Sequence, residues 1–282
     1  MTMTPTTDAV QRGATVVVPL RRARHARRLT TPSVTVVLPV LDEAAGLAAT
    51  LPLIPDYVTE IIVVDGGSTD ASVVVVHEIL PDAVVLTQAG RGKGDALKTG
   101  IAMAGGDIIV TMDADGSMDP RDIDAAIELL LQGDHFVKGS RCLPGGGSDD
   151  FTPVRRAGNA FLTSATNAMV GRRFTDITDG FNAYWREVSP LVEDLADGFE
   201  FEIQLAVRAT RSGLRTAEVP CHEATRVGGA TKLHAFKDGW RILKAIVTEA
   251  QSGPRHHWHM PDRLISPGPT DSDLLVDRDA VR

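Results

Sequence analysis

The 282-residue chain is 43% hydrophobic, ample for a buried core, and its formal net charge of -8 argues against general nucleic-acid binding. That charge is segregated: residues 1–30 carry six Arg (Arg12, Arg21, Arg22, Arg24, Arg27, Arg28) against one acid, Asp8, leaving 23 basic and 36 acidic residues in the remainder. Two cysteines, Cys142 and Cys221, are too few for a disulfide framework and fit a reducing cytoplasm, and no apolar run approaches the ~20 residues of a membrane span.

Residues 1–32, rich in Thr, Pro and Arg, read as a loosely attached basic arm without the basic-then-apolar order of a secretory signal. The Arg run either stays solvated or touches anionic lipid, at on the order of 1 kcal/mol per charge. Val34–Leu38 is an apolar run without alternation, the mark of a strand buried on both faces, and it ends at Pro39. Asp42 and Glu43 then precede a helix through Leu51. Ile61–Val64 repeats the pattern and stops in Asp65-Gly66-Gly67-Ser68-Thr69-Asp70, followed by a helix and a third strand over Ala83–Leu86. Strands alternating with helices predict an α/β domain with a doubly wound, mostly parallel sheet and flanking helices.

Gly90-Arg91-Gly92-Lys93-Gly94 leads into a helix expected from about Asp95 to Ala104. Glycines and cations before a helix N-terminus suit a phosphate, although neither the Walker nor the dinucleotide spacing is present, and a plain surface turn fits as well. Ile108–Met112 is the next strand, and it ends in Asp113-Ala114-Asp115-Gly116. Two carboxylates one residue apart at the carboxyl end of a strand lie where open α/β sheets bind ligands. Their mutual repulsion asks for a hard divalent cation, Mg²⁺ or Mn²⁺, which would bridge to a diphosphate; an Asx turn is the alternative.

Farther along, helices are expected over Ile123–Leu131 and from about Pro153 to Val170, the latter with Phe161, Leu162 and Met169 inward. Strands are expected at His135–Val137, Tyr184-Trp185 and Leu214–Pro220. Phe199-Glu200-Phe201-Glu202 opens an amphipathic helix with Leu205, Ala206 and Ala209 inward. Between about His234 and Gln251, Phe236, Trp240, Leu243 and Val247 share a helical face flanked by Lys237, Arg241 and Lys244. That face either packs on the domain or lies on a membrane interface. The polar tail 252–282 reads as disordered.

Pro39-Val40-Leu41-Asp42-Glu43, Asp65 through Asp70, Arg91-Gly92-Lys93-Gly94, Asp113-Ala114-Asp115, Lys138-Gly139-Ser140-Arg141, Asp179-Gly180-Phe181, Glu218-Val219-Pro220 and Arg226 through Lys232 follow one another in an order that resembles a family 2 glycosyltransferase. The resemblance is to enzymes of the GT-A fold, nearest the dolichyl-phosphate mannosyltransferase and polyprenyl-phosphate glucosyltransferase branch, and covers roughly residues 34–232. It implies a single GT-A domain over 33–233, with the arm 1–32 before it and the helix 234–251 and tail 252–282 behind.

It further implies metal-dependent, inverting transfer of a hexose from a UDP-glucose or GDP-mannose type donor. Pro39, Glu43 and Asp65 would meet the nucleoside, Asp113 and Asp115 the metal, and Lys93, Arg226 and Lys232 the diphosphate. Polyprenyl phosphate, already anionic, would need no general base; a soluble hydroxyl acceptor would need one, and Glu202 stands at the matching position. Glu202 also reads as a helix N-terminal acid favoured by the dipole. Leu41-Asp42 departs from the frequent Tyr-Asn, Gly66 stands where a second Asp is frequent, and Asp179 through Asn182 replaces Ser-Gly-Phe-Arg. The expected location is cytoplasmic, with peripheral contact at the inner membrane face through the Arg-rich arm or the helix 234–251. Nucleotidyl transfer to a sugar phosphate and non-catalytic sugar-nucleotide binding are the alternatives.

Overall fold

Strands without polar alternation need apolar cover on both sides, and the sheet receives it. The computed structural model describes residues 31–228 and 235–251, the side chains of 235–238 and 250 excepted. Residues 1–30 of the arm, Lys232 and the tail lie outside the described residues, as do the side chains of Phe236 and Lys237. The described residues from Pro32 onward form one compact unit.

The elements in chain order are β1 (Val34–Val40), α1 (Ala44–Thr50), β2 (Glu60–Asp65), α2 (Ser72–Ile79), β3 (Val84–Thr87), α3 (Lys93–Met103), β4 (Ile108–Thr111), α4 (Asp122–Leu131), β5 (Phe136–Ser140), β6 (Gly147–Ser148), α5 (Pro153–Val170), β7 (Asn182–Trp185), α6 (Glu200–Arg211), β8 (Thr216–Pro220), β9 (His222–Glu223) and α7 (Ala235–Gln251). Seven strands build the main sheet in the order β3-β2-β1-β4-β7-β5-β8, and β6 pairs with β9. The strands from β3 to β4 are mutually parallel. β7 runs antiparallel to both β4 and β5, and β5 and β8 are parallel to each other.

Successive side chains on a strand point to opposite faces. Val36 and Leu38 of β1 and Ile108 and Val110 of β4 therefore join Leu47 of α1, Val76 of α2 and Ile123 and Ala126 of α4. Val37 and Ile109 face the other way, onto Leu97 and Ile101 of α3, Phe201 and Leu205 of α6 and Ile246 of α7. The parallel trio β2-β1-β4 brings Pro39, Asp65 and the residues after Thr111 to one edge of the sheet, the carboxyl edge.

Four expectations are corrected. Pro39 lies inside β1 rather than ending it. α3 begins at Lys93, two residues earlier than the sequence suggested. On α5, Leu162 is buried, but Phe161 is 60% exposed and Met169 is exposed as well. On α7, Ile242, Ala245, Ile246 and Glu249 face inward, whereas Trp240 is 71% exposed. The reason is polar: Glu249 pairs with buried Arg208, which also meets Asp194, and Arg241 pairs with Glu200, so ion pairs set the rotation of the helix.

α1 sits close on the strand-exit loop after β4, and Gly46 permits it: a Cβ there would come within 2.6 Å of the Asp115 backbone. Gly46→Ala should cost about 1–3 kcal/mol by overpacking, read as a lower urea midpoint at unchanged m-value.

Candidate functional site

Two loops at the carboxyl edge are laced together by their own acids. Asp42 adopts the left-handed region (φ 52°), which Asp tolerates, and its carboxylate accepts from the backbone N–H of Thr69 at 2.7 Å. Asp70 returns the bond to the N–H of Ala44 at 3.0 Å, and the Ser72 hydroxyl accepts from the Glu43 N–H at 2.8 Å. Glu43 is thereby fixed at the head of α1, buried and facing inward. Asp65 is consumed by the turn itself, accepting from the N–H of Gly67 and Ser68.

The strand-exit loop after β4 is tied down in the same way. Asp115 Oδ1 accepts from both the N–H and the hydroxyl of Ser117, at 3.0 and 2.6 Å. The later loop lies over it, with Val227 N–H donating to the Asp115 carbonyl and Ala224 N–H to that of Ser117. Gly116, at φ 80°, leaves the room that Val227 fills.

From this frame two cations each span two acids. Lys93 Nζ lies 2.5 Å from Asp113 and 3.0 Å from Glu202. The Arg226 guanidinium lies 2.6 Å from Glu43 and 3.2 Å from Asp115. Burial of Lys93 works against its charge, but Asp113 and Glu202 more than offset it and raise its pKa. Burial pushes the Glu202 carboxyl up to about 7, against the opposing pull of Lys93. Four carboxylates against two cations leave the cluster acidic. Among the described residues no three His, Cys, Asp or Glu side chains converge as a cage of their own. An oxygen-only acidic set with a pair of strand-end carboxylates fits a hard divalent ion that takes its remaining ligands from phosphates and water.

The Gly-rich loop does not form an open phosphate cradle. The first N–H groups of α3, those of Gly94 and Asp95, donate to the Asp197 carbonyl, and a Cβ on Gly94 would meet the backbone of residues 196–198. Its glycines serve chain packing, and Lys93 turns inward to the acids.

One cavity of about 800 Å³ joins these groups. Pro39, Glu43, Lys93, Asp113, Asp115, Glu202 and Arg226 all line it; of the other candidates from sequence, Asp65 does not line it and Lys232 lies outside the described residues. At one end stand strand-tip residues Leu41, Gly66 and Gln88 with Arg91. At the other, Phe151, Val154, Leu162, Phe199, Ile203 and Ile242 of α5, α6, α7 and adjoining loops make an apolar wall beside Arg141 and Arg155. The Arg141 guanidinium is held by Asp176 at 2.7 Å and Glu223 at 3.0 Å and stacks 4.5 Å over the Phe151 ring. Burial pushes the neighbouring Asp179 carboxyl up to about 6, despite Arg141. Arg141 was visible in sequence only within a motif, and Gln88, Phe151 and Arg155 carried no signal, because loops and helix ends gather them from distant segments.

The family model for glycosyl transferase family 2 matches residues 35–190. Glycosyltransferase AglJ of Haloferax volcanii is 30% identical over 231 residues, covering 78% of this chain and 73% of the relative. Polyprenol monophosphomannose synthase of Mycolicibacterium smegmatis is 30% identical over 78% of this chain and 86% of its own length. Undecaprenyl-phosphate mannosyltransferase of Micrococcus luteus is 28% identical over 79% and 94%. Among solved structures, glucosyl-3-phosphoglycerate synthase from Mycobacterium tuberculosis, crystallised with Mn²⁺, UDP and glucosyl-3-phosphoglycerate, superimposes with a TM-score of 0.61 at 24% identity over 78% of this chain and 80% of that one, a likeness of fold. The chain therefore belongs to glycosyl transferase family 2, with the mixed α/β, mostly parallel GT-A architecture.

Proposed function

We propose that this chain transfers a hexose from a nucleoside-diphosphate sugar to polyprenyl phosphate, with inversion at the anomeric carbon. The observation that carries the reading is the continuous cavity, acidic at its middle, bounded by strand tips at one end and by apolar helix faces beside two guanidiniums at the other. A lipid phosphate has the matching polarity, an anionic head on an apolar chain. Relatives named for polyprenol and undecaprenyl phosphate support that acceptor class. Family membership favours glycosyl transfer over nucleotidyl transfer or binding alone.

Asp113 and Asp115 would hold Mg²⁺ or Mn²⁺, which when bound offsets the charge of the diphosphate. Arg226, poised between Glu43 and Asp115, is the cation whose attraction grows as the diphosphate departs, and Lys232 follows it along the same segment of sequence. Pro39 and Glu43 would meet the nucleoside. Arg141 and Arg155 draw the acceptor phosphate to the opposite end. A phosphate oxygen, already anionic, forms the new bond to the anomeric carbon from the face away from the diphosphate. The old carbon–oxygen bond breaks, and its electron pair leaves with the nucleoside diphosphate.

Access to a lipid falls to the surface of α5. Among the described residues no helix is long and apolar enough to cross a membrane. From Ala157 to Val170 the helix has no charged residue, yet Ala157, Phe161, Ser164, Ala168 and Met169 are exposed. Arg155 and Arg156 precede this face, Arg172 and Arg173 follow it, and exposed Trp240 and Lys244 belong to the adjoining α7. An uncharged face rimmed by cations suits peripheral contact with an anionic bilayer on the cytoplasmic side.

A second reading keeps the donor and uses a soluble hydroxyl acceptor, with Glu202 as general base. What favours it is the burial of Glu202 within the cavity and a carboxyl pushed up to about 7, suited to proton transfer near neutrality.

Asp115→Asn should lower transfer of label from donor to butanol-soluble product by about 1,000-fold, the several kcal/mol expected of a metal ligand; full turnover in that variant would defeat both readings. The two acceptors part on Glu202→Gln. For a hydroxyl acceptor, wild-type kcat should rise with pH through about 7 as the carboxyl loses its proton, and the variant should lose about 100-fold or more together with that limb. For a lipid phosphate, which needs no general base, the variant should keep turnover within a few-fold of wild type. Phe161→Asp combined with Trp240→Asp should reduce co-sedimentation with vesicles containing phosphatidylglycerol several-fold, while leaving donor binding unchanged.

A further inference from the structure

The two oxygens of Asp115 have different partners. Oδ1 accepts from both the backbone N–H and the hydroxyl of Ser117, at 3.0 and 2.6 Å, whereas Oδ2 lies 3.2 Å from the Arg226 guanidinium. A carboxylate oxygen carries two lone pairs, so the two donors of Ser117 fill Oδ1 and leave Oδ2 as the oxygen that can meet an ion. An Asx turn and a metal ligand, alternatives for this residue in sequence, therefore use different oxygens of one carboxylate.

Ser117 is placed to hold that division. It is buried, and its carbonyl accepts from the Ala224 N–H at 2.8 Å while the Asp115 carbonyl accepts from the Val227 N–H at 2.9 Å. The backbone is thus pinned on both sides of Gly116. With the backbone fixed, Asp115 can turn Oδ1 toward an ion only by giving up the serine hydroxyl. Asp113 is limited in a similar way, since Lys93 Nζ lies 2.5 Å from its Oδ1. The strand-end pair offers an ion one oxygen from each acid rather than two.

That count discriminates between ions. Mg²⁺ demands a near-octahedral set at about 2.0–2.1 Å and is satisfied by single carboxylate oxygens plus phosphate and water, and Mn²⁺ takes the same oxygen ligands. Ca²⁺ gathers roughly six to eight oxygens at about 2.3–2.6 Å and readily takes both oxygens of one carboxylate. A carboxylate held to one oxygen withholds the chelating grip that the larger ion uses.

We propose that Ser117 sets the ion selectivity of this site, holding Asp115 to a single open oxygen and so favouring Mg²⁺ or Mn²⁺ over Ca²⁺. The proposal rests on the metal reading of Asp113 and Asp115 and goes beyond it in naming the residue that decides which ion is accepted. Ser117 is a positioning residue, acting through Asp115.

The test is calorimetric titration of Mn²⁺ and of Ca²⁺ into the full chain, with and without UDP, for wild type, Ser117→Ala and Ser117→Thr. Wild type should bind Mn²⁺ at least about 10-fold more tightly than Ca²⁺. Ser117→Ala, which frees a lone pair of Oδ1, should bind Ca²⁺ more tightly than wild type does and narrow that ratio at least about 5-fold, within the range expected of a group that orients a metal ligand. Ser117→Thr, which keeps the hydroxyl, should restore the wild-type ratio. An unchanged ratio in Ser117→Ala would overturn the assignment, as would equal weakening of both ions, the result of a merely structural role. Tighter binding of Ca²⁺ than of Mn²⁺ by wild type would overturn it too. Binding of neither ion by wild type would instead sink the metal reading beneath it. Circular dichroism melts on each variant separate loss of selectivity from loss of fold.

Discussion

The site depends on two side-chain cations, one ammonium and one guanidinium, each shared between two carboxylates. Lys93 spans Asp113 and Glu202, and Arg226 spans Glu43 and Asp115. Four acids gathered at one sheet edge would repel one another strongly if left alone, and partial burial would sharpen that repulsion by lowering the local dielectric. The two cations make the cluster tolerable without neutralising it. They also link segments far apart in sequence: α3 to α6 through Lys93, and α1 to the loop after β9 through Arg226. Removing either cation would leave acids uncompensated, which costs more than the pair itself contributes.

That constraint explains why so much backbone around the site is locked. Lys93 can reach both acids only because α3 begins at that residue, and α3 begins there because the Asp197 carbonyl takes the N–H groups of Gly94 and Asp95. Arg226 can reach both of its acids because the neighbouring loop is bonded to the carbonyls of Asp115 and Ser117. Glu43 is held by Ser72 and by the exchange between Asp42 and Asp70. Packing then sets depth: Gly46 lets α1 rest on the carboxylate loop, and Gly180 lies where a Cβ would crowd Asp113 and Lys93. The chemistry-bearing side chains are few, and the polar bonds that aim them are many.

The sheet, the order of its helices and the central acids were legible in the sequence, because unbroken apolar runs ending in Asp or Gly report strands buried on both faces. Glu43, Lys93, Asp113, Asp115, Glu202 and Arg226, singled out because they lie at the ends of such runs or in motif order, all line the one cavity. What escaped was whatever depends on a partner remote in sequence. The glycines around Lys93 suggested a phosphate cradle, but the N–H groups of Gly94 and Asp95 go to the Asp197 carbonyl and that of Gly90 to the Asp95 carboxylate. Asp65 was read as a nucleoside contact from its motif, whereas the structure shows its carboxylate bonded to the turn that follows and absent from the cavity lining. The rotation of α7 follows Glu249 and Arg208 rather than the apolar row that includes Trp240. Gln88 had no signal, since only the fold brings it to the cavity, with its side chain bonded to the Gly92 carbonyl.

On the proposed reading, charge segregation also orients the reaction. The chain as a whole is acidic, with net charge -8, and Glu43, Asp113, Asp115 and Glu202 gather in the cavity. The guanidiniums of Arg155 and Arg156 gather at the head of α5 and those of Arg172 and Arg173 beyond its end, bracketing an uncharged exposed face. An anionic surface would repel most of this domain and attract that one helix. The apolar wall of the cavity is built partly from the same helix through Val154 and Leu162. Docking by α5 would thus bring the acceptor end of the cavity to the lipid while the strand tips, where the nucleotide is proposed to sit, remain open to solution on the far side of the sheet edge. The two proposed substrates differ in where they dissolve, and the sheet order from β3 to β5 puts the residues proposed to meet them on different strands around one cavity.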